Sequence, residues 1–497
     1  MQLQILDAKN GEKTAFYNNV YLHSSYSPEK EARRWVSSIT PLFEPEIILI
    51  TEPALGIQLS CLKERFPECK IAAVRYSHDF DAFNSGFDFI FYAEKEGELY
   101  SSLTRAFSEE KIYSILFLSW PASEKAFPLQ NKIAVKEIKE VLERAKTLLV
   151  TRQCFEKRWL LNSLNLLKYS EKFFELKKTE ADILIAASGP SLNDCMKIIK
   201  ENQKKFVIIA LSSAILPLLK NGIKPDFCLS SDGGYWAKAH LKSLFHHDIP
   251  LALPLEADLP KKLYKSNKII PLSYSDGPSK VLLNQLGIDF FEAERNPTVS
   301  GTALKLAQKL TEGKIFFAGL DLASVKGFNH CQPNELERNS AFTDKLLKSR
   351  EERLFKSSLP SQSLEIYRDW FSSLPLSSLK NQVFRIIDEK RDQNPLGQIK
   401  DISPDDFCRL LKNGTELSGK EKIISECRGK EISAKELSSK LKDFFASYSK
   451  NAQWKKQLFP LDMVALSHDR KNKELSEKIE KENLSLLSKI QKILNDD

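Results

Sequence analysis

The stretch ILIAASGPSLND, residues 183–194, decides the fold. Its five leading apolar residues are too few for a buried helix and suit a strand covered on both faces. They run into Ser188, Gly189, Pro190 and Ser191, where glycine permits a tight turn and proline stiffens it. The polar residues that follow can open a helix. Strand, small-residue turn and helix in that order mark the start of a parallel α/β unit. The pattern then repeats. Residues 206–210, 227–230, 251–253, 268–271 and 314–318 are further short apolar runs with helical segments between most of them. That alternation predicts a mostly parallel sheet with helices on both faces.

On the N-terminal side, 47–50 reads as a buried strand, 52–56 as a turn, 57–66 as an amphipathic helix, and 71–74 and 115–118 as two more strands. The order is Rossmann-like, of the methyltransferase kind. Only Gly56 stands where a glycine-rich cofactor turn would be, and Leu55 and Ile57 flank it, so this unit reads as scaffold. Residues 128–178 carry helical spacing over 133–149 and 159–174 and read as a connector. Beyond about residue 340 charged helices take over. Leu475, Ile479, Leu486, Ile490 and Leu494 form a stripe suited to a packed bundle helix.

Composition narrows the function. The chain has 497 residues, 42% hydrophobic and 28% charged, as expected of a soluble protein of several domains. No apolar run approaches the roughly 18 residues of a membrane span, and the first twenty residues lack the apolar core of a secretory signal. A cytoplasmic location is expected. Eight cysteines without CxxC or paired-histidine spacing suggest neither zinc nor a disulfide framework. The net charge of +8, from 74 basic and 66 acidic residues, is spread along helices. Nucleic acid is therefore not an expected partner, and only a mild attraction for small anions follows.

The chemistry concentrates at predicted strand ends, where open α/β sheets hold ligands. The turn at Ser188, Gly189, Pro190 and Ser191 offers hydroxyls and helix-start amides that suit phosphate. Ser212 lies in a second small polar turn. Asp232, before Gly233 and Gly234, either faces a sugar or ribose hydroxyl, acts as a general base, or caps its own loop as an Asx turn. Ser300, Gly301 and Thr302 open a helix, either binding an anion or simply capping it. Asp321 follows the 314–318 strand, and His330 is a loop candidate for proton transfer or phosphate contact.

SGPSL at 188–192, KPDFCLSSD at 224–232, TVSGTALKLA at 298–307, GLDLA at 319–323 and the following His330 together resemble the motility-associated Maf flagellin glycosyltransferases, of the MptE-like superfamily. They are similar also to bacterial sialyltransferases that use CMP-activated sugars. The resemblance covers about 180–335, with weaker echoes at 367–370 and 394–399. It implies a Rossmann-like N-terminal domain over 1–150, a helical connector over 151–180, a sialyltransferase-like α/β domain with a mostly parallel sheet over 181–340, and a helical C-terminal domain over 341–497. It further implies transfer of a nonulosonic sugar, pseudaminic or legionaminic acid, from its CMP donor to Ser or Thr of flagellin before export. Ser188, Gly189, Pro190, Ser191, Ser300, Gly301 and Thr302 would hold the donor, with Ser212, Asp232 and Asp321 lining the crevice and His330 or Asp232 as base. No cofactor and no metal are expected, because the donor is itself the substrate and carries one phosphate. The alternatives are a 6-hydroxymethylpterin pyrophosphokinase, which would need magnesium and carboxylates near the SGPSL turn, and a non-catalytic flagellin-binding assembly factor.

Overall fold

The computed structural model describes all residues except 1–2, 171–172, 275–277, 360, 380, 389–393, 412–422, 427–433, 470 and 496–497. Cys427 lies outside the described residues. The chain packs as two units, Met1–Lys157 with Ser449–Leu487, and Arg158–Tyr448 with Ser488–Asp497.

In the first unit, β1 (Gln4–Asp7), β2 (Lys13–Tyr17) and β3 (Val20–Tyr21) form an antiparallel sheet. A parallel sheet follows, of β4 (Ile47–Thr51), β5 (Lys70–Arg75), β6 (Phe89–Tyr92) and β7 (Ile115–Ser119), in the order β6-β5-β4-β7. The fully buried β4 and the helix Gln58–Arg65 match the Rossmann-like reading. Strand order turns back between β4 and β7, where such folds bind cofactors. Here that corner is filled from within. Glu52 and Arg75 are fully buried and paired at 2.9 Å. Arg75 also donates to the carbonyls of Ala54 and Phe83 and to Asn84, and Ser123 donates to the Glu52 carbonyl at 2.7 Å. Trp120 is buried and donates to the Leu22 carbonyl at 2.6 Å. The left-handed backbone at Glu52 (φ 34°) and Ala54 (φ 48°) shapes the turn that places Glu52 inward. The scaffold reading of this turn accords with that packing.

The second unit is built on β9 (Ile183–Ala186), β10 (Val207–Leu211), β11 (Phe227–Leu229), β12 (Leu251–Pro254), β13 (Ile269–Ser273), β14 (Phe291–Glu292), β15 (Ile315–Ala318), β16 (Val383–Ile386) and β17 (Lys400–Ile402), with β8 (Phe174–Leu176) and β18 (Ile424–Glu426) as a separate antiparallel pair. The nine strands run parallel in the order β14-β13-β12-β11-β10-β9-β15-β16-β17. Ile183, Ile185, Ile209 and Phe317 are wholly buried, and each such side chain contributes roughly 1.5–3 kcal/mol relative to exposure. The helix Val299–Leu310 covers one face, through Ala303, Leu304, Leu306, Ala307 and Leu310. On the other face Phe407 of the helix Pro404–Leu411 packs on Phe206 and Phe316.

The six strands expected between 183 and 318 are present. β14, β16 and β17 were not expected, and the last two lie beyond residue 340, so the sheet continues through the segment read as purely helical. The physical reason is Arg385 inside β16: a four-residue strand bearing a charge has no apolar signature. Its guanidinium is buried because Asp401 accepts from it twice at 2.7 Å and the Asn394 carbonyl once at 2.9 Å. The 151–180 connector is also different in detail. One helix, Pro128–Tyr169, runs unbroken through residue 150, and Phe174, expected in a helix, lies in β8. In the C-terminal helix Lys473–Asn495, Ile479, Leu486, Ile490 and Leu494 are buried, as the bundle reading predicts. None of the described helices is long and apolar enough to cross a membrane.

Candidate functional site

Parallel strands place every βα turn of the second unit along one edge. The chain leaves β9 toward β10 on one side and β15 toward β16 on the other, so the carboxyl ends of β9 and β15 flank the topological switch point. The turn Ser188, Gly189, Pro190, Ser191 leaves β9, and Gly319 to Asp321 leave β15. A cavity of about 520 Å³ opens beside them, lined by Pro190, Asn193, Asp194, Lys326, His330 and Asp388 among others.

The two turns are locked together. Gly189 N–H donates to the Gly319 carbonyl at 2.8 Å, and Ser191 N–H donates to Asp321 Oδ2 at 2.6 Å. A Cβ on Gly189 would lie 2.5 Å from both that carboxylate oxygen and the Gly319 carbonyl, so only glycine fits. The next amides, of Leu192, Asn193 and Asp194, donate to the carbonyls of Gly189, Pro190 and Ser191. This differs from the expected anion cradle: the helix-start N–H groups are already taken, Ser191's by the carboxylate of Asp321. Groups that can meet a ligand in the cavity are therefore side chains, namely Lys326, His330 and Asn193, with the half-buried Ser188 beside them.

His330 reaches the site because its loop is tied down. Cys331 N–H donates to the Ser188 carbonyl at 2.7 Å and its thiol to Asn193 Oδ1 at 3.0 Å, while burial pushes that thiol up to about 12. Burial lowers the pKa of His330, which favours the neutral imidazole that a general base requires. Its ring faces that of His240, with centroids 5.9 Å apart. His240 sits on the helix Tyr235–Leu241 that follows β11. Burial, then the charge of His330, brings its pKa down to about 4. Ser212 lies in the short helical turn after β10, whose Ser213 carbonyl accepts from Asn334 at 3.4 Å. Ser188, Ser191, Ser212, Asp321 and His330 are thus drawn to one stretch of the edge.

Asp232 and the 300–302 turn are not among the groups lining that cavity. Asp232 is exposed and accepts from Gly234 N–H at 2.8 Å, which is the Asx-turn alternative. At the helix Val299–Leu310 the N-cap is Thr298, accepting from Ser300 N–H. Ser300 and Thr302 are buried, and Thr302 donates to the Glu294 carbonyl at 3.3 Å. A Cβ on Gly301 would lie 2.9 Å from the Trp370 indole. This turn is therefore packed, and it adjoins another corner in which Arg295 lies over the rings of Tyr274 (4.2 Å) and Trp159 (4.9 Å) and 3.4 Å from Glu256. Its amides do not join those of Gly189 in one cradle.

Sequence reasoning missed Asn193, Lys326, Asp388 and His240. Ordinary polar residues in helix starts and loops carry no signal of their own, and the 240–330 approach depends on the crossing of two distant connections. Three buried side-chain atoms along this edge, Ser191 Oγ, Ser230 Oγ and His240 Nδ1, make no hydrogen bond among the described residues, the condition in which a bound molecule is commonly the missing partner.

Comparison with known proteins fits this geometry. Residues 157–327 match the family model described as 6-hydroxymethylpterin diphosphokinase MptE-like. An uncharacterised protein of Treponema pallidum (strain Nichols) is 29% identical over 311 residues, covering 62% of this chain and 67% of that protein. The structure of a Maf glycosyltransferase from Magnetospirillum magneticum AMB-1 aligns with 99% of this chain and 87% of its own, with TM-score 0.56 and 14% identity, a likeness of fold. The part of the chain that carries the Ser188 turn is thus similar to the MptE-like family, and the fold along nearly its whole length is similar to that of a Maf glycosyltransferase.

Proposed function

We propose that this protein is a glycosyltransferase that moves a nonulosonic, sialic-acid-like sugar from a CMP donor to Ser or Thr hydroxyls of flagellin in the cytoplasm. The observation that carries the reading is the cavity of about 520 Å³ at the switch point of an MptE-like domain, with the Ser188 turn on one wall and His330 on another. In the reaction the bond from the anomeric carbon to the CMP phosphate oxygen breaks, and a bond from that carbon to the acceptor oxygen forms. The acceptor proton passes to the His330 ring, held neutral by burial. Negative charge grows on the departing phosphate, and a cation and hydroxyls at the cavity stabilise it. Lys326, which lines the cavity, and the hydroxyl of Ser188, in the turn beside it, are assigned that role. One phosphate on the donor needs no metal to neutralise a diphosphate, so the transfer is written without one.

The test is co-expression with flagellin and intact-mass measurement, beside thermal-shift titration with CMP. Stabilisation by CMP, flagellin gaining the sugar mass, and loss of that gain in His330→Ala with an unchanged melting temperature are expected. Flagellin of unmodified mass with the unaltered enzyme and CMP-sugar present would sink the proposal.

A second reading has its own observation. Asp194 and Asp388 bring two carboxylates to the cavity beside the SGPSL turn, the feature a magnesium-dependent pyrophosphoryl transfer from ATP to a hydroxymethylpterin would use. Stabilisation by ATP with magnesium, and none by CMP, would favour it. Silence with every nucleotide would favour an assembly factor.

A further inference from the structure

We infer that His240 is a positioning residue for His330, a role that rests on the reading of His330 as the acceptor-side base. His240 is 8% exposed, and its Nδ1 has no hydrogen-bond partner among the described residues. A buried imidazole nitrogen without a partner costs free energy that apolar packing would avoid. The ring it faces is His330, 5.9 Å away between centroids and inclined at 57°. With the centroids there, aligned ring nitrogens stand about 3.6 Å apart, so the hydrogen bond forms when one ring rotates and moves roughly 0.5–1 Å toward the other. Both elements that carry the pair are anchored. The helix Tyr235–Leu241 packs against the turn Ser212–Ala214 and the helix Glu335–Ala341. The His330 loop is fastened through Cys331 to Ser188, and Asn334 caps the helix Glu335–Ala341.

A histidine with two free nitrogens interconverts between tautomers, and only one tautomer points a lone pair at the acceptor hydroxyl. Which one is present is set by the hydrogen bond the other nitrogen makes. In the proposed arrangement His240 Nδ1 accepts from a ring N–H of His330. The opposite nitrogen of His330 then faces the cavity unprotonated. When that nitrogen takes the acceptor proton, His330 becomes an imidazolium and still donates to Nδ1, so no charge is left without a partner. His240 itself neither gains nor loses a proton, in keeping with the burial that lowers its pKa. The position is readable only in three dimensions, since 90 residues separate the two histidines.

The experiment needs no donor substrate for its first readout. The full chain is labelled with ¹⁵N-histidine, and the His330 ring signals, assigned by their loss in His330→Ala, report its tautomer. Wild type should show one dominant tautomer, His240→Phe a mixture, and His240→Gln, which keeps a neutral acceptor, a restored single form. Unchanged His330 ring shifts in His240→Phe would overturn the proposal, as would a tautomer mixture in wild type. The second readout is sugar transfer. His240→Phe should lower kcat by about tenfold or more with KM for the CMP-sugar within about threefold, and His240→Gln should recover most of it. A loss expressed in KM alone, or equal loss in both variants, would assign His240 a merely structural role. If the tautomer responds as expected while CMP fails to bind wild type, the donor assignment falls and the pairing of the two histidines stands.

Discussion

A single carboxylate organises the candidate site. Asp321 accepts the Ser191 amide and fills the space that a side chain on Gly189 would need. Gly189→Ala is expected to cost about 1–3 kcal/mol, because a Cβ at 2.5 Å from two oxygens forces the β9 and β15 turns apart. Urea denaturation of the variant checks it, and a midpoint equal to wild type would contradict the packing described. Gly301→Ala belongs to the same scale but a different cause. Its Cβ meets the Trp370 indole, so the loss expected is of stability first. Sugar transfer by the fraction that remains folded should stay near that of wild type. A transfer rate lost at full thermal stability would return the 300–302 turn to the donor site. At this scale the sequence announced the right small residues and could not say which amides were already satisfied.

Elements explain the two corners where charge is buried. In the first unit the Glu52–Arg75 pair is at zero exposure on both sides, at the carboxyl ends of β4 and β5. Removing one partner strands the other without solvent or counter-charge. Arg75→Met is expected to destabilise this unit by about 3–5 kcal/mol, and circular dichroism melting of the variant measures it. Arg385 and Asp401 make the corresponding tie between β16 and β17, and Arg385 also reaches the Leu320 carbonyl at 3.4 Å, one residue from Asp321. β16 thus supports the turn of the candidate site from a part of the chain whose sequence reads as helix and loop. The buried apolar runs β9, β10 and β15 were legible because nothing polar interrupts them. β6, β14 and β16 were not, being short, at an edge or interrupted by charge.

Across the whole molecule, two buried histidines make folding sensitive to pH. Burial lowers His23 from 6.5 to about 3, and His240 from 6.5 to about 4. Above pH 6.5 both folded and unfolded forms are neutral and the full stability is present. As pH falls below 6.5 the unfolded chain takes up protons that the native chain refuses, so stability is lost down through the folded values. Between pH 7 and 5.5 each histidine should cost about 1.2 kcal/mol. Chemical denaturation at the two pH values should show the loss in both units, and His23→Gln should reduce it in the first unit only. A pH-independent midpoint would contradict the burial of both rings. The class of fold, the parallel order of its strands and the glycine- and serine-bearing turn after β9 followed from the amino-acid sequence alone, because apolar periodicity and turn chemistry are local properties of the chain. The pairing of His240 with His330, the capping of Ser191 by Asp321, the separation of Gly301 from the cavity and the service of Arg385 in the sheet were decided by tertiary structure. Each depends on which distant segments share one sheet edge, and no local spacing encodes that.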